Sequence, residues 1–423
     1  MRAVYYVFLY ATLKYYKMYL GMIKIIFNNL LNTVHFSFLL LILLFSKTVL
    51  ATPTLTIWSS HQNRDFLTVI TDKYKKNHDV NISIIQLDPS EIKAEILLSA
   101  RDGGLPDLIV IPSDFLGLHK MMNLSMIPRD WYIEKLSPRV KATVKSNGKY
   151  WGVPLIQGNF LLLYYNKKYV TKPITDFKDI ILDKKQFLDK KIRPIGWNYN
   201  DMYYFIPFLS AFNGWPTVDR QIELNTPAMV EALKYYHSLA EQGIVDRSCD
   251  YRCSQLDFIK GKSAYSINGD WAYHDLKAML GDNLGVAVLP KVDGKTMHPM
   301  SSTFVLAVPS QSQYSKDKQE LIKDFSKFVQ QPTNQQAVYE KTKLLPISMN
   351  YYRKLRLKAT GDSLVMFHQM ALTKLMPSTL NMAISWQAIA IGFQHYQAGA
   401  KAKYAAVYMQ KMAMKQNQQL DNN

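Results

Sequence analysis

The first part of the chain alternates between strand-like and helix-like patterns of apolar residues. Residues 54–60 (TLTIWSS) alternate apolar and polar positions, which predicts a strand, and residues 65–77 place apolar side chains at helical spacing. A second strand (80–88) and a second helix (91–104) follow. Residues 106–113 (PDLIVIPS) form a continuous apolar run, which is typical of a parallel strand buried on both faces. This order of elements predicts an α/β domain with a parallel sheet.

The middle of the chain interrupts this rhythm. Residues 149–170 hold two strand-like runs separated by a Gln-Gly-Asn tripeptide, which predicts that the chain crosses there between two lobes. Residues 226–243 predict a helix with a threonine cap and a proline in its first turn. Residues 301–310 (SSTFVLAVPS) predict a further strand, and the pattern after it is mostly helical.

The N-terminus has the pattern of a secretory signal peptide. Residues 36–45 form a ten-residue apolar core, and Val49 and Ala51 give the small-x-small cleavage pattern, so we expect residues 1–51 to be removed. The apolar core is shorter than the roughly 20 residues of a membrane span, although an uncleaved anchor is the alternative. No cysteine follows the cleavage site, so we expect a periplasmic protein that is not a lipoprotein.

Composition indicates a globular chain with a basic surface. Apolar residues make up 48% and charged residues 20%, which is typical of a folded protein. The 51 Lys and Arg exceed the 33 Asp and Glu, and five basic residues lie before Thr52, which leaves +13 for the mature chain. The lysines are scattered over polar stretches, which favours a solvated surface over a nucleic-acid site.

Two motifs that suggest a nucleotide or a metal are incomplete. The tripeptide GKS at Gly261 resembles the end of a P-loop, but Leu256 stands where the loop needs its first glycine. Cys249 and Cys253 have no second ligand pair at zinc spacing. We therefore expect no cofactor and no metal. In an exported protein we expect the two cysteines to form a local disulfide, which contributes about 2 kcal/mol.

Six segments together resemble the bacterial extracellular solute-binding proteins of the maltose-binding type, which are receptors of ABC importers. The resemblance covers nearly the whole mature chain, and its most specific block is FxxGKxAxxxNGxW. The segments are LTIW (55–58), PDLIVIPSD (106–114), residues 149–170, FIKGKSAYSINGDWAY (258–273), LGVAVLPKVDGK (284–295) and MPSTLNMAISWQAI (376–389).

The resemblance implies a two-lobed α/β fold of the type II periplasmic-binding-protein class, with a hinge and an interlobe cleft. The expected N-terminal lobe comprises residues 52–157 and 304–346, and the expected C-terminal lobe comprises residues 158–303 and 347–423. It also implies a monomer that closes on its solute and presents it to a membrane permease.

The resemblance places nine residues in the cleft as ligand contacts. An indole offers a flat surface for the C–H face of a sugar ring, and short polar side chains would bind the hydroxyls. Packing in the core is the alternative role for each tryptophan. The nine are Trp58, His61, Gln62, Asp114, Asn159, Asp201, Tyr203, Trp271 and Trp386.

Three positions depart from the maltose-binding pattern. Asn63 stands where maltose-binding members have a lysine, and Phe115 and Ala390 stand where they have arginines. The class of protein is therefore better defined than its solute. A sugar or oligosaccharide is the leading interpretation, and a glycerol-phosphate-like or other anionic solute is the alternative.

An enzyme and a non-transport protein are the rival classes. The sequence contains no HExxH, no GxSxG and no cysteine paired with a base, so we expect no catalytic residues. Asp114 and Asp201 would be the carboxylate pair of a glycosidase, but the resemblance assigns them to hydrogen bonding from opposite lobes. A surface adhesin or a sensor partner is the third class.

Overall fold

The computed structural model describes residues 14–25, 27, 30, 52–133, 136–146, 148–310 and 314–421. Residues 14–25 are helical, and Pro53–Asn423 forms a separate compact unit, which contains all the elements below. The core and cleavage site of the predicted signal peptide, residues 36–51, lie outside the described residues. None of the helices described is long and apolar enough to cross a membrane.

The strands of the compact unit are β1 (Thr54–Ser60), β2 (Asn81–Leu87), β3 (Leu108–Pro112), β4 (Lys145–Ser146), β5 (Lys149–Tyr150), β6 (Val153–Gly158), β7 (Leu161–Asn166), β8 (Arg193–Gly196), β9 (Thr217–Val218), β10 (Gln221–Ile222), β11 (Ser263–Gly269), β12 (Leu284–Ala287), β13 (Met300–Ala307), β14 (Leu345–Pro346) and β15 (Lys374–Leu375).

Its α-helices are α1 (Arg64–Asn77), α2 (Ile92–Asp102), α3 (Pro138–Val144), α4 (Phe177–Leu188), α5 (Met202–Ala211), α6 (Pro227–Glu241), α7 (Tyr273–Leu280), α8 (Lys316–Phe328), α9 (Pro332–Thr342), α10 (Met349–Lys358), α11 (Gly361–Leu372), α12 (Leu380–Gln397) and α13 (Ala402–Asp421). Short 3-10 turns at His61–Asn63, Ser113–Leu118 and Asp270–Ala272 carry several of the predicted site residues.

The larger sheet has seven strands in the order β14-β6-β13-β3-β1-β2, with β15 paired to β13. β1 pairs in parallel with both β2 and β3, which confirms the parallel α/β pattern predicted for residues 54–113. The first four residues of β3 are fully buried, as the continuous apolar run predicts. Helix α2 ends at Gly103, whose left-handed conformation (φ 73°) makes it the C-cap.

The smaller sheet has four strands in the order β12-β7-β11-β8. β11 is buried along its whole length, pairs antiparallel with β7 and pairs parallel with β8. A separate apolar core, which includes residues of α5, α6, α12 and α13, packs against this sheet. Thr226 caps α6 by accepting a hydrogen bond from the backbone N–H of Met229 (3.1 Å), as predicted.

The chain passes from the larger sheet to the smaller one between β6 and β7. The crossover segment, residues 158–160, begins at Gly158 (φ 140°) and continues through Asn159 (φ 49°), so both residues have positive φ. The chain returns to the larger sheet at β13, which pairs antiparallel with β6 and β3. The molecule is therefore a two-lobed α/β fold. The exact residue limits given above for the two lobes stay a prediction.

Candidate ligand-binding site

Three aromatic side chains from separate elements of the smaller-sheet core lie together. Tyr203 is in the first turn of α5, Trp271 is in the turn that follows β11, and Trp386 is on α12. The Tyr203 ring centroid lies 6.2 Å from that of Trp271 and 6.1 Å from that of Trp386. All three side chains are half-buried, so together they form an aromatic surface that is still open to solvent.

Asp114 brings a carboxylate from the larger sheet to this aromatic group. It lies in the 3-10 turn after β3, is only 5% exposed, and interacts by hydrogen bonding with the Trp386 side chain. Burial raises the pKa of Asp114 to about 6, although the positive charge of Lys93 opposes this shift. Its Oδ1 atom has no hydrogen-bond partner in the described structure, so it is available as an acceptor.

Asp201 supplies a second carboxylate at the start of α5. It is the N-cap residue, and its Oδ1 accepts a hydrogen bond from the backbone N–H of Tyr203 (3.0 Å). Desolvation by the surrounding protein raises the pKa of Asp201, although the residue keeps an exposed surface. The carboxylate is therefore anchored next to Tyr203 and still reachable by a solute.

Asn159 lies in the crossover segment, and its polar groups are already engaged. Its side-chain amide donates a hydrogen bond to the Ser302 hydroxyl of β13 (2.7 Å). Its carbonyl oxygen accepts a hydrogen bond from the hydroxyl of Tyr203. The residue thus connects the crossover segment to the aromatic group.

Gln62 approaches the aromatic group through Tyr251. The indole N–H of Trp271 donates a hydrogen bond to the Tyr251 hydroxyl (3.2 Å), and hydrogen bonding by Gln62 acts on the same hydroxyl. Burial is the main cause that raises the pKa of Tyr251 to about 12. Tyr251 lies inside the loop that the disulfide between Cys249 and Cys253 closes, so this disulfide constrains a residue beside the site.

Trp58 lies near the end of β1, and His61 begins the 3-10 turn that follows it. Trp58 packs against the apolar cluster that includes Ile109 and Phe115. His61 is exposed, and its Nε2 lies 3.9 Å from the carboxylate of Asp88. The structure therefore brings together six of the nine predicted residues directly and a seventh, Gln62, through Tyr251.

The sequence analysis missed Lys93 and Tyr251. The Lys93 ammonium lies 4.4 Å from the centroid of the Phe115 ring, and its charge favours the ionised forms of both Asp114 and Asp201. A cation from α2 thus lies over Phe115, one of the three positions that depart from the pattern expected from the resemblance. The only sequence signal for Tyr251 was its place between the two cysteines, just before the FIKGK block.

Within the described ranges, no group of three or more His, Cys, Asp or Glu side chains could hold a metal ion. A surface cavity of about 220 Å³ lies between α12 and α13, and none of the three rings lines it. The site is instead a set of aromatic and carboxylate side chains at the junction of the two lobes.

The chain belongs to the bacterial extracellular solute-binding protein family, whose sequence model matches residues 70–360. It is 26% identical to the maltodextrin-binding protein of Bacillus subtilis over 309 residues, which is 69% of this chain and 72% of the relative. It is 22% identical to a galactooligosaccharide-binding protein of the same organism over 317 residues, again 69% and 72% of the two chains.

Two solved structures are similar in fold. The maltose/maltodextrin-binding domain from Bdellovibrio bacteriovorus, bound to maltotriose, has a TM-score of 0.79 at 24% identity and covers 86% of this chain and all of its own. The GacH receptor of Streptomyces glaucescens, solved unliganded and with acarbose, has a TM-score of 0.77 at 20% identity and covers 86% and 98%. The predicted family and two-lobed fold are confirmed.

Proposed function

We propose that this protein is the receptor of an ABC importer and binds a sugar or oligosaccharide between its two lobes. The observation that carries the proposal is the group formed by Tyr203, Trp271 and Trp386 beside the carboxylates of Asp114 and Asp201. Aromatic faces stack on the C–H surface of sugar rings, and carboxylates accept hydrogen bonds from hydroxyls. The saccharides that are named for its relatives support the same ligand class.

The remaining predicted residues take supporting roles in this proposal. Trp58, His61 and Gln62 form the rim of the cleft at the end of β1, and Asn159 holds the crossover segment against Tyr203. No residue acts on the ligand chemically. The protein works as a monomer in the periplasm after cleavage behind Ala51, and it delivers its solute to a membrane permease.

The charges around the site favour a neutral solute over an anionic one. The positive charge of Lys93 acts on both site carboxylates, but the carboxylates of Asp114 and Asp201 outnumber it. An anionic solute would meet a net negative field there, which is unfavourable in a partly desolvated site. Glycerol-phosphate-like solutes are therefore the weaker candidates.

A thermal-shift screen over saccharides, polyols and phosphate esters tests the ligand class. A ligand at 100 times its Kd stabilises the protein by about 2.7 kcal/mol, which is a shift of several degrees. We expect neutral oligosaccharides to raise the melting temperature. A shift with phosphate esters alone would replace the sugar assignment by the anionic one.

Binding should weaken at acidic pH because the solute needs the ionised form of Asp114. With a pKa of about 6 in the free protein, the carboxyl is ionised above that pH and is progressively lost as an acceptor below it. We expect an affinity about tenfold weaker at pH 5 than at pH 7.5. Calorimetric titrations of the wild type and of Asp114→Asn measure this. Asp114→Asn should bind more weakly than the wild type at pH 7.5, and its affinity should not fall between pH 7.5 and pH 5. A wild-type affinity that is the same at both pH values would contradict the role of Asp114.

The protein should become more compact when it binds its solute. Elements of the two lobes meet at the site through Asp114 and Trp386, and at its edge through Asp65 and His274, where Nε2 of His274 lies 3.7 Å from Oδ2 of Asp65. A solute held from both sides favours this closed arrangement by its differential affinity. Small-angle scattering should show a smaller radius of gyration at saturating ligand. An unchanged radius would instead indicate a rigid receptor.

A further inference from the structure

Asp270 is a buried carboxylate to which the proposed function gives no role. It lies directly after β11, immediately before Trp271, and is only 4% exposed. Burying a charged group in such a position lowers the stability of the fold unless the surrounding backbone donates hydrogen bonds to it. The partners of this carboxylate therefore indicate what it does.

These partners lie in the crossover segment, residues 158–160. The backbone N–H of Asp270 donates to the carbonyl oxygen of Phe160 (3.0 Å), and the N–H of Phe160 donates back to Oδ1 of Asp270 (3.3 Å). The backbone N–H of Asn159 also favours the charged form of this carboxyl. The two segments are thus joined by reciprocal hydrogen bonds, and not by packing alone.

Gly158 lets the carboxylate approach the crossover segment closely. A Cβ atom at this position would lie 2.1 Å from Oδ2 of Asp270, so either the carboxylate or the crossover segment would have to shift. Oδ2 itself has no hydrogen-bond partner among the described residues. Burial raises the pKa of Asp270 to about 7, while the N–H groups of Phe160, Asn159 and Trp271 oppose the shift.

The aromatic group holds the same segment from another direction. Tyr203 donates its hydroxyl hydrogen bond to the carbonyl oxygen of Asn159, and its ring lies 6.2 Å from that of Trp271. The hydroxyl of Tyr164 on β7 donates to the carbonyl oxygen of Gly269 (2.8 Å), which fixes the end of β11. The crossover segment is therefore connected to the stacking residues on two sides.

We propose that Asp270 is a positioning residue that ties the crossover segment to the turn carrying Trp271. This tie consists of the reciprocal hydrogen bonds between Asp270 and Phe160. It fixes the backbone conformation of the crossover segment and the orientation of Trp271 together. Its effect on ligand affinity rests on the proposed function, whereas its effect on the crossover segment does not. The two effects can therefore be measured separately.

Hydrogen–deuterium exchange of the full mature chain tests the tie without a ligand. Asp176 is a matched control, because it is also a buried carboxylate of the smaller-sheet lobe but accepts from the N–H groups of Lys178 (3.1 Å) and Gly294 (2.7 Å) instead. We expect Asp270→Ala to accelerate exchange in residues 158–162 about tenfold or more. Asp176→Ala should accelerate exchange near its own partners only.

The conservative variant separates hydrogen bonding from packing. Asp270→Asn keeps the volume and one oxygen acceptor, so we expect it to retain most of the protection of residues 158–162. Three results for residues 158–162 would overturn the proposal. Exchange could be unchanged in Asp270→Ala, it could be accelerated equally by Asp176→Ala, or it could be accelerated equally by both Asp270 variants. If Asp270→Ala does not fold, Asp270→Asn decides. The deciding measurement is then the tryptophan emission of the ligand-free protein. The emission of the wild type should change with a midpoint near pH 7, and Asp270→Asn, whose side chain does not titrate, should show no such change.

Titration with maltotriose measures the consequence for binding. We expect Asp270→Ala to weaken the affinity about tenfold, because the site is no longer preorganised, and Asp176→Ala to leave it within about twofold. Equal affinities of Asp270→Ala and the wild type would contradict the positioning role. If the wild type binds no saccharide at all, the proposed function fails, and the exchange results still decide on the tie.

Discussion

Replacing Trp271 by alanine is expected to weaken saccharide binding by about 2–3 kcal/mol, a roughly 30- to 150-fold rise in Kd. The substitution removes the ring that packs beside Tyr203 and whose indole N–H orients the Tyr251 hydroxyl. Trp271 is half-buried and belongs to a short turn, so the melting temperature of the ligand-free protein should change little. Calorimetric titration and thermal unfolding of the same preparations measure both quantities.

Trp131 provides the matched control for this experiment. It is also half-buried in a short 3-10 turn, but it packs against the core of the larger sheet, away from the aromatic group. Trp131→Ala should change the melting temperature of the ligand-free protein by a similar amount and leave the Kd unchanged. If Trp271→Ala instead destabilises the empty protein strongly and binds like the wild type, then Trp271 is a core residue and not a ligand contact.

Replacing Gly158 by alanine is expected to lower the free energy of unfolding by about 3 kcal/mol. Two causes act together, because the backbone at φ 140° disfavours any side chain and the new Cβ would lie 2.1 Å from the Asp270 carboxylate. Urea denaturation measures the change. In the double variant with Asp270→Ala the clash is removed but the backbone strain stays, so the combined loss should be smaller than the sum of the single losses.

Gly104→Ala is the control for the cost of adding a methyl group. Gly104 is not at a positive φ, and a Cβ atom added there would lie 3.9 Å from the Cβ of Ser99, an ordinary van der Waals contact. We expect a change within about 0.5 kcal/mol in either direction. A loss for Gly158→Ala that is no larger than this would mean that the crossover segment adapts freely.

Local sequence patterns were sufficient for the elements of the fold. The apolar run of β3 predicted a strand buried on both faces, and the threonine and proline at the start of α6 predicted its first turn, because both signals act over a few residues. The crossing between lobes was also visible, since the tripeptide Gln157-Gly158-Asn159 separates two apolar runs. These features depend on backbone geometry and burial that neighbouring residues determine.

The details of the site depend on contacts between distant segments, which no local pattern reports. Lys93 has the sequence context of an ordinary helix residue, and only the folded chain brings its charge beside Asp114 and Asp201. No local pattern reveals the role of Asp270, because its partner Phe160 lies 110 positions away. Trp58 was predicted by its place at the end of β1, and its packing on the cluster of Phe115 depends on a segment more than 50 positions away.

Calorimetric titration of residues 52–423 at pH 7.5 with maltodextrins and galacto-oligosaccharides tests the central proposal most directly. We expect saturable binding of at least one neutral oligosaccharide, with one site per chain and a Kd of about 1 μM or tighter. The same titration with Trp271→Ala should show the weaker binding described above. Absence of binding to every saccharide, together with saturable binding of a phosphate ester, would contradict the proposal that the site recognises sugars.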